Sequence, residues 1–361
     1  MIESRPTYII QLGYGKVGTP LVRLAIENRD RIEAETGVQL RHAAVLRSSS
    51  ILLGDDRICR AADRGPAFAD WTPHAPVSRL TVLDTVFRCY GTPDVSRYVL
   101  VDATATEQTS SLLLEALAAG IAVVTANKIP LAETPGWFEQ MQTISRTSHT
   151  PFRYECTVGG SLPVISTLLD LLHTGDTVHR ITALSSSSLS CIMGNVNRGL
   201  PVGAAIDDAI RRGFAEPNPL TDLAGRDALR KTVILAKTMG LPVTMDDVRQ
   251  EPLLDRDYTG FQDFRENGGE FALADRLVSA RRPGTVIYYV GTIDADGPVT
   301  LNLQSFPHDS IWGTLEPSEN LFLFATERFG DVSVVVRGVG GGPILTASGI
   351  LADIIKVAQA L

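Results

Sequence analysis

TYIIQLGYGKVGTPLVRLAIENRDRI, residues 7–32, is the stretch that decides the fold of the first half of the chain. A β-branched, apolar segment leads directly into Gly13, Gly15 and Gly18, and apolar residues then recur at helical spacing. A dinucleotide-binding turn requires this order, because the glycines permit a tight turn, close approach of a pyrophosphate and close packing of helix on strand. The pattern predicts a Rossmann-type nucleotide-binding lobe, with a plain strand-to-helix turn as the alternative.

The next strand candidate, QLRHAAVL (39–46), is followed by Arg47 and three serines. At this place in a Rossmann lobe a carboxylate would hold the ribose 2′-hydroxyl of NAD, whereas an arginine with hydroxyls suits the 2′-phosphate of NADP. Arg47 therefore favours NADP as the cofactor and leaves NAD as the alternative. A solvated loop would also account for these residues.

Two further strand candidates follow at the spacing of repeated strand–helix units. The segment SRYVLVDATATEQTS (96–110) ends its apolar run at Asp102 and Thr104, and GIAVVTANKIPLA (120–132) ends its run at Asn127 and Lys128. Ligands of an open parallel sheet bind at the carboxyl ends of the strands, so Thr104 and Lys128 are predicted to lie where cofactor and substrate meet. A surface loop lysine is the other interpretation of Lys128.

The bulk properties of the 361 residues favour a small-molecule enzyme. The chain is long enough for two lobes, its formal net charge is −8, and it has no Lys/Arg-rich tract that would bind nucleic acid or an anionic membrane. Its four cysteines form no CxxC pair, which fits a reducing compartment. Because no basic and apolar leader is evident, we expect a cytoplasmic protein with no nucleic-acid or membrane partner.

The second half of the chain predicts a different, mixed domain. A glycine pair opens a helix in CTVGGSLPVISTLLDLL (156–172), strand candidates follow, and the chain ends in VRGVGGGPILTASGILADIIKVAQAL (336–361). This last glycine-rich turn and helix either return to the nucleotide lobe or form a hairpin-type loop before a docking helix. The predicted fold is α/β, with a Rossmann-type dinucleotide-binding domain (1–154), an α+β catalytic and dimerisation domain with a mixed sheet (155–331) and a returning turn and helix (332–361).

A charged stretch in this domain, EPNPLTDLAGRDALRK (216–231), has two interpretations. Its prolines stop any incoming helix, and Thr221 or Asp222 can cap a new helix that runs on to Gly240. Asp227 and Lys231 then share a helix face, which alone favours an ordinary surface ion pair. The functional interpretation is that carboxylates gather opposite a ligand ammonium while Lys231 transfers a proton.

The sequence resembles homoserine dehydrogenase over nearly its whole length. The stretches that carry the resemblance are LGYGKVG, TANKIPLA, ECTVGGSLP, GFAEPNPLTDLAGRDALRK and GVGGGPILTASGILADI. The resemblance implies NAD(P)-dependent interconversion of L-aspartate 4-semialdehyde and L-homoserine, on the route to threonine and methionine. It also implies a short form of the enzyme, for which we expect no C-terminal regulatory domain.

Residue roles follow from matching these stretches one by one. The family's catalytic acid–base lysine corresponds to Lys231, and Lys128 lies beside it in the family. The positions that match substrate ligands are Glu216, Asp222 and Asp227, with Asp227 also placed to hold Lys231. The cofactor positions carried over are Gly13, Gly15, Val17, Gly18, Thr104, Lys128 and Gly340.

The resemblance also implies a monovalent cation and a dimer. The ECTVGGSLP segment is similar to the family's cation loop, in which Glu155, Val158, Gly160 and Leu162 would supply mainly backbone oxygens. Such an all-oxygen site suits a structural sodium ion, whereas a glycine turn before a helix is the simpler interpretation. A homodimer is implied, with the second-domain sheet as interface.

One segment departs from the family pattern and keeps other functions open. The family usually has an Asn-Gly-Thr-type turn where this chain has LSSSSLSC (184–191), so that Ser188 keeps the threonine's hydroxyl while Ser187 replaces the glycine. A dehydrogenase for a related amino-acid semialdehyde and a non-catalytic NADP-binding sensor therefore remain alternatives. An aspartate semialdehyde dehydrogenase would need a cysteine nucleophile with a histidine, and neither Cys156 nor Cys191 stands in such a context.

Overall fold

The computed structural model describes residues 6–64, 71–73, 86–87 and 94–361, and the chain divides into two compact units. Unit 1 comprises Met1–Thr157 and Pro343–Leu361, and unit 2 comprises Val158–Gly342. The boundary expected after residue 154 thus lies at 157. The segment 332–361 is divided between the units, because a strand within it pairs in the sheet of unit 2 while the final helix belongs to unit 1.

A seven-stranded sheet of order β4-β3-β2-β1-β5-β6-β7 organises unit 1. Its strands are β1 Thr7–Leu12, β2 Leu40–Leu46, β3 Ser50–Leu53, β4 Thr72–Pro73, β5 Tyr98–Asp102, β6 Ala122–Thr125 and β7 Phe152–Arg153. Strands β2, β1, β5, β6 and β7 are parallel, and β3 and β4 extend the edge in antiparallel pairing. The chain changes direction across the sheet at β1, which lies between β2 and β5, and this confirms the predicted Rossmann-type domain.

Helices cover this sheet. They are Gly18–Glu27, Arg29–Thr36, Asp55–Arg64, Ser110–Ala118, Lys128–Glu133, Trp137–Ser148 and Pro343–Ala360. The last of them is long and apolar enough, by length and composition, to cross a membrane. Its apolar side is accounted for by the core of unit 1, where Ala347, Ile350, Ile354 and Val357 are buried against strands β1, β5 and β6.

A titratable side chain is buried in strand β2. His42 is 1% exposed, and burial lowers the pKa of its imidazole to about 4. The neighbouring carboxylate of Asp55 raises this pKa, but by less than burial lowers it. Asp55 also accepts a hydrogen bond from the His42 backbone N–H and forms an ion pair with Arg29. The folded state therefore holds a neutral imidazole.

The lowered pKa of His42 predicts that the free energy of unfolding of unit 1 falls in acid. The unfolded imidazole gains its proton near pH 6.5 and the folded one near pH 4, so the stabilisation is complete above 6.5 and is lost as the pH falls through 4. Urea unfolding at pH 7 and pH 4 should show that His42 accounts for about 3 kcal/mol of the loss. The variant His42→Gln should lose correspondingly less over the same interval; an unchanged acid limb in this variant would contradict the assignment.

A six-stranded sheet of order β13-β12-β8-β10-β11-β9 forms the centre of unit 2. Its strands are β8 Val178–Leu184, β9 Arg249–Gln250, β10 Thr285–Asp294, β11 Val299–Pro307, β12 Glu319–Thr326 and β13 Val334–Val339. All pairs are antiparallel except β9 with β11, so the predicted mixed sheet is confirmed. The helices of unit 2 are Val164–His173, Ser187–Asn197, Val202–Arg211, Leu220–Leu223, Arg226–Thr238, Phe261–Glu266 and Gly269–Ala280.

The charged stretch 216–231 does not form the single helix that its sequence predicts. A short helix, Leu220–Leu223, is separated from Arg226–Thr238 by Gly225, whose φ of +72° is left-handed. A side chain at this glycine would also come within 2.9 Å of the Tyr289 ring. The break therefore places Asp222 on a separate turn from Asp227 and Lys231, instead of along one helix face.

Candidate active site

The glycine turn after β1 has the geometry expected of a phosphate-binding turn. Gly13 has a φ of +96°, and a methyl group there would lie 2.9 Å from the Ala103 carbonyl oxygen. A methyl group on Gly18 would overlap the Gly13 carbonyl, so the first turn of the helix Gly18–Glu27 packs directly on the strand end. Sequence analysis missed Gln11, whose buried amide donates to the carbonyls of Gly13 (2.8 Å) and Gly18 (2.9 Å) and fixes the turn.

A cavity of about 350 Å³ opens beside this turn, at the carboxyl ends of β1, β2 and β5. It is lined by Leu12, Gly13, Leu46, Arg47, Ser48, Thr104, Thr106, Gln108 and Thr109. Three predicted cofactor residues, Gly13, Arg47 and Thr104, are therefore brought together at the switch point of the sheet, where open α/β folds bind their ligands. The lining polar groups and the free helix N-terminus at Gly18 fit a dinucleotide.

Behind the cavity, Asp102 ties two strand ends together. Its carboxylate is fully buried, and its Oδ1 accepts from the backbone N–H (2.9 Å) and hydroxyl (2.6 Å) of Thr104. Its Oδ2 accepts from the Thr109 hydroxyl (2.7 Å) and the Asn127 amide (3.0 Å). Burial raises the pKa of Asp102, and these donors favour the ionised form. The same Asn127 caps the helix that begins at Lys128, so one carboxylate positions both predicted cofactor residues.

We expect Asp102→Asn to weaken NADPH binding about tenfold and to lower the free energy of unfolding by about 2 kcal/mol. The Thr104 N–H and the Asn127 amide donate to different oxygens, so either orientation of the new amide leaves one donor facing another. Fluorescence titration of NADPH and urea unfolding measure the two effects. Asp94→Asn, near the opposite end of β5, is the matched control and should change neither; an unaltered NADPH affinity in Asp102→Asn would refute the positioning role.

In unit 2, Lys231 is held in one orientation. Its side chain is 9% exposed, its Nζ forms a 2.7 Å ion pair with the Asp227 carboxylate, and it donates at 2.7 Å to the Ser185 carbonyl. Asp227 is four residues earlier on the same helix and remains 36% exposed. The pair is thus the predicted helix-face pair, but its lysine points into the protein and contacts the serine run, residues 185–188.

A second carboxylate is anchored to that same run. Asp222 accepts a 2.9 Å hydrogen bond from the Ser188 hydroxyl and a 3.2 Å hydrogen bond from the backbone N–H of Glu216, which is exposed. Burial raises the pKa of Asp222, and the negative charges of Asp227 and Glu216 act in the same direction. Unit 2 therefore gathers the predicted residues Lys231, Asp227, Asp222, Glu216 and Ser188 around residues 185–188.

The departure from the family pattern at Ser187 is accommodated by a second polar link. The Ser187 hydroxyl donates at 3.1 Å to the side-chain carbonyl of Asn320, whose amide in turn donates to the Leu184 carbonyl. A methyl group at Gly340 would overlap the Asn320 side chain, and one at Gly341 would meet the Ser187 hydroxyl. The predicted cofactor turn at Gly340 is thus packed against the serine run through Asn320, which sequence analysis missed.

The residues predicted to hold a cation do not lie in one unit. Glu155 belongs to unit 1, where its backbone N–H donates to Asp353, and Val158, Gly160 and Leu162 belong to unit 2. Gly160 has a φ of +63°, as a tight turn requires. Among the described residues, no group of three or more His, Cys, Asp or Glu side chains is arranged to hold a metal.

The Rossmann domain indicates an enzyme that binds a nucleotide at the switch point of its sheet, and the oriented, buried lysine of unit 2 suits proton transfer. Two family models match the chain, "Homoserine dehydrogenase, NAD binding domain" over residues 13–155 and "Homoserine dehydrogenase" over residues 163–355. The chain belongs to the homoserine dehydrogenase family, which consists of NAD(P)-dependent oxidoreductases. The resemblance noted in the sequence is confirmed.

Individual relatives agree with the family. The bifunctional aspartokinase/homoserine dehydrogenase 2 of Escherichia coli is 30% identical over 98% of this chain and 43% of its own length, and that of Arabidopsis thaliana is 31% identical over 99% and 39%. The chain thus spans about two fifths of the length of these relatives. Two solved structures share the fold. Homoserine dehydrogenase from Thermoplasma acidophilum is 25% identical with a TM-score of 0.70, over 98% of this chain and 100% of that one. A hyperthermophilic archaeal homoserine dehydrogenase in complex with NADPH is 24% identical with a TM-score of 0.74, over 98% of both chains.

Proposed function

We propose that the chain interconverts L-aspartate 4-semialdehyde and L-homoserine with NADP(H), a step toward threonine and methionine. The observation that carries the proposal is the environment of Lys231, whose buried ammonium is oriented by Asp227 and the Ser185 carbonyl, both at 2.7 Å. A charged amine fixed by two acceptors keeps its remaining proton available in one direction, as a general acid requires.

Lys231 completes the reduction. When bound, a nicotinamide cofactor would supply the hydride that reduces the aldehyde carbon, and this chain's own residues would neutralise the charge that develops on the former carbonyl oxygen. Lys231 donates a proton to that oxygen to form the alcohol and regains a proton from solvent. In the direction of oxidation the neutral amine accepts the hydroxyl proton instead.

The acidic groups of unit 2 select an amino-acid substrate. Asp222 is fixed by Ser188 and by the backbone of Glu216, so its charge stays in place for the substrate's α-ammonium. Glu216 and Asp227 add negative charge near it, as their effect on the pKa of Asp222 indicates. An aldehyde without an amino group would leave these carboxylates without a cationic partner, so such an aldehyde should be a poor substrate.

NADP is the cofactor that the described residues of unit 1 fit best. Arg47 lines the cavity at the end of β2, where an arginine selects the 2′-phosphate. The archaeal relative of known structure is an NADPH complex. In unit 1 the proposed cofactor contacts also include Gly13, Gly15, Val17, Gly18, Thr104 and Lys128. The cofactor role of Gly340 rests on the resemblance alone.

Two further properties of this proposal rest on the resemblance, a structural sodium ion and a homodimer formed through the sheet of unit 2. A cytoplasmic location is proposed from the scattered cysteines. The ion takes no part in the proton transfer assigned to Lys231.

The two buried cysteines named as candidates argue against the rival thioester chemistry. Cys156 is 6% exposed and Cys191 is fully buried, and burial raises the pKa of both thiols. A nucleophilic cysteine needs the opposite conditions, namely partial exposure and a lowered pKa. Aspartate semialdehyde dehydrogenase activity is therefore disfavoured.

An absorbance assay tests the proposal directly. Purified chain mixed with L-homoserine and NADP should produce reduced nicotinamide, and L-aspartate 4-semialdehyde with NADPH should consume it. A panel of related amino-acid semialdehydes and a parallel assay with NAD and NADH serve as controls. If the chain binds NADPH but turns over none of these substrates, the result would contradict the dehydrogenase proposal and favour a non-catalytic NADP-binding sensor.

A further inference from the structure

The guanidinium of Arg47 lies over two neighbouring aromatic rings. Arg47 follows β2, and its backbone N–H donates to the Ser50 carbonyl (2.8 Å) in the turn to β3. Its guanidinium carbon is 4.2 Å from the centre of the Trp71 ring and 5.6 Å from the centre of the Tyr14 ring. The two rings are themselves 5.5 Å apart and tilted by 57°. The arginine is therefore held by aromatic faces on the wall of the nucleotide cavity.

Sheet pairing places Trp71 there. Strand β3 pairs antiparallel with β2, and β4 pairs antiparallel with β3 with Ile51 opposite Thr72. Trp71 immediately precedes β4 and packs against the apolar cluster that includes Tyr14 and Leu52. Neither the glycine turn nor β2 contains this tryptophan, so a motif search confined to them cannot find it.

Among the described residues, the positive charge of Arg47 has no carboxylate partner, so it can interact with a ligand. Within the described part of the chain, no carboxylate forms an ion pair with Arg47, and no acceptor takes a hydrogen bond from its guanidinium. Aromatic faces attract the cation without using its N–H groups, which point outward along the edge of the guanidinium plane. Ser48 beside it is exposed and adds a hydroxyl to the cavity wall.

We propose that Trp71 is a specificity-determining residue for the 2′-phosphorylated nicotinamide cofactor. It acts through Arg47 as a positioning residue: its ring fixes the guanidinium so that the N–H edge faces the phosphate. A planar guanidinium binds a phosphate with two parallel hydrogen bonds only when it is oriented, whereas the 2′-hydroxyl of NAD gains little from it. The inference rests on the proposed preference for NADP and names what maintains it.

Binding measurements on the whole chain test this without any substrate. The dissociation constants of NADPH and NADH are obtained from the fluorescence of the reduced nicotinamide at one fixed salt concentration. Trp71→Leu, which keeps an apolar side chain and removes the aromatic face, should weaken NADPH binding about five- to tenfold and leave NADH within about twofold. Trp71→Phe keeps an aromatic face and should stay close to the wild type.

A second pair of variants isolates the coupling to Arg47. In an Arg47→Ala background, Trp71→Leu should cause no further loss of NADPH affinity, because the group that it positions is gone. An equal loss of NADPH and NADH affinity, or an undiminished loss in the Arg47→Ala background, would overturn the inference. Absence of homoserine turnover would contradict the proposed reaction and leave these binding results as they are, so the two failures are distinguishable.

Discussion

Lys231→Ala should lower kcat for homoserine oxidation by about 10²- to 10⁴-fold while NADPH affinity stays within about twofold. The reason is that the ammonium acts only in the proton transfer, whereas the described nucleotide cavity belongs to unit 1. Steady-state kinetics with both substrates and a fluorescence titration of NADPH give the two numbers. A small primary amine such as methylamine should restore part of the lost kcat, since it can occupy the space of the deleted side chain.

The same helix provides the control for this experiment. Lys237 is also buried, with 8% of its surface exposed, and lies one and two-thirds turns further along the helix Arg226–Thr238. Lys237→Ala removes a lysine of equal burial and should retain most of kcat in the folded protein. A wild-type kcat in Lys231→Ala would refute the assignment of Lys231 as proton donor. If kcat falls and methylamine restores none of it, the result would favour a structural role for Lys231.

Asp222→Asn should lower kcat/KM for L-homoserine by about two orders of magnitude, mainly through the loss of the charge that meets the α-ammonium. The hydrogen bonds can survive this change: one orientation of the new amide donates to Ser188 and still accepts from the Glu216 N–H. The charge is removed while the turn is retained. Kinetics at saturating NADP, with NADPH affinity as the reference, measure the effect.

Two comparisons separate charge from geometry in this variant. Ser188→Ala removes one hydrogen bond to Asp222 and should cost about fivefold in kcat/KM. With 4-hydroxybutanoate, which lacks the ammonium, Asp222→Asn should change the already low rate little; an equal loss with both substrates would show that Asp222 does not face the ammonium. Since burial raises the pKa of Asp222, kcat/KM of the wild type should begin to fall with decreasing pH above the usual range of an aspartate.

Local patterns predicted the glycine turn and the strand ends of the nucleotide lobe. The turn at Gly13 and Gly18 is dictated by backbone packing, and such packing restricts the residue type at each position. Strand ends could also be found, because an apolar run that stops at a polar residue marks the edge of a parallel sheet, as at Thr104. The same pattern identified Asp102 as a strand end but not as a positioning residue. That role depends on four hydrogen bonds from residues in three separate segments of the chain.

Residues that act through tertiary pairing could not be predicted. Trp71 reaches Arg47 only because β3 and β4 fold back beside β2, and no spacing in the sequence records that register. In the stretch 216–231, helix periodicity suggested one continuous helix, and the left-handed Gly225 broke it because Tyr289 packs closely there. The serine run is similar: its composition raised doubt about the substrate, but its bonds to Asp222 and Asn320 depend on the fold.

The helix Pro343–Ala360 has a consequence for the order in which the protein is made. It supplies buried residues to the core of unit 1, although the whole of unit 2 is translated before it. On the ribosome, part of the apolar surface of strands β1, β5 and β6 therefore stays uncovered until residues 343–360 emerge. Unit 2 is one continuous segment and has no such delay, so we expect it to fold first and unit 1 to fold more slowly.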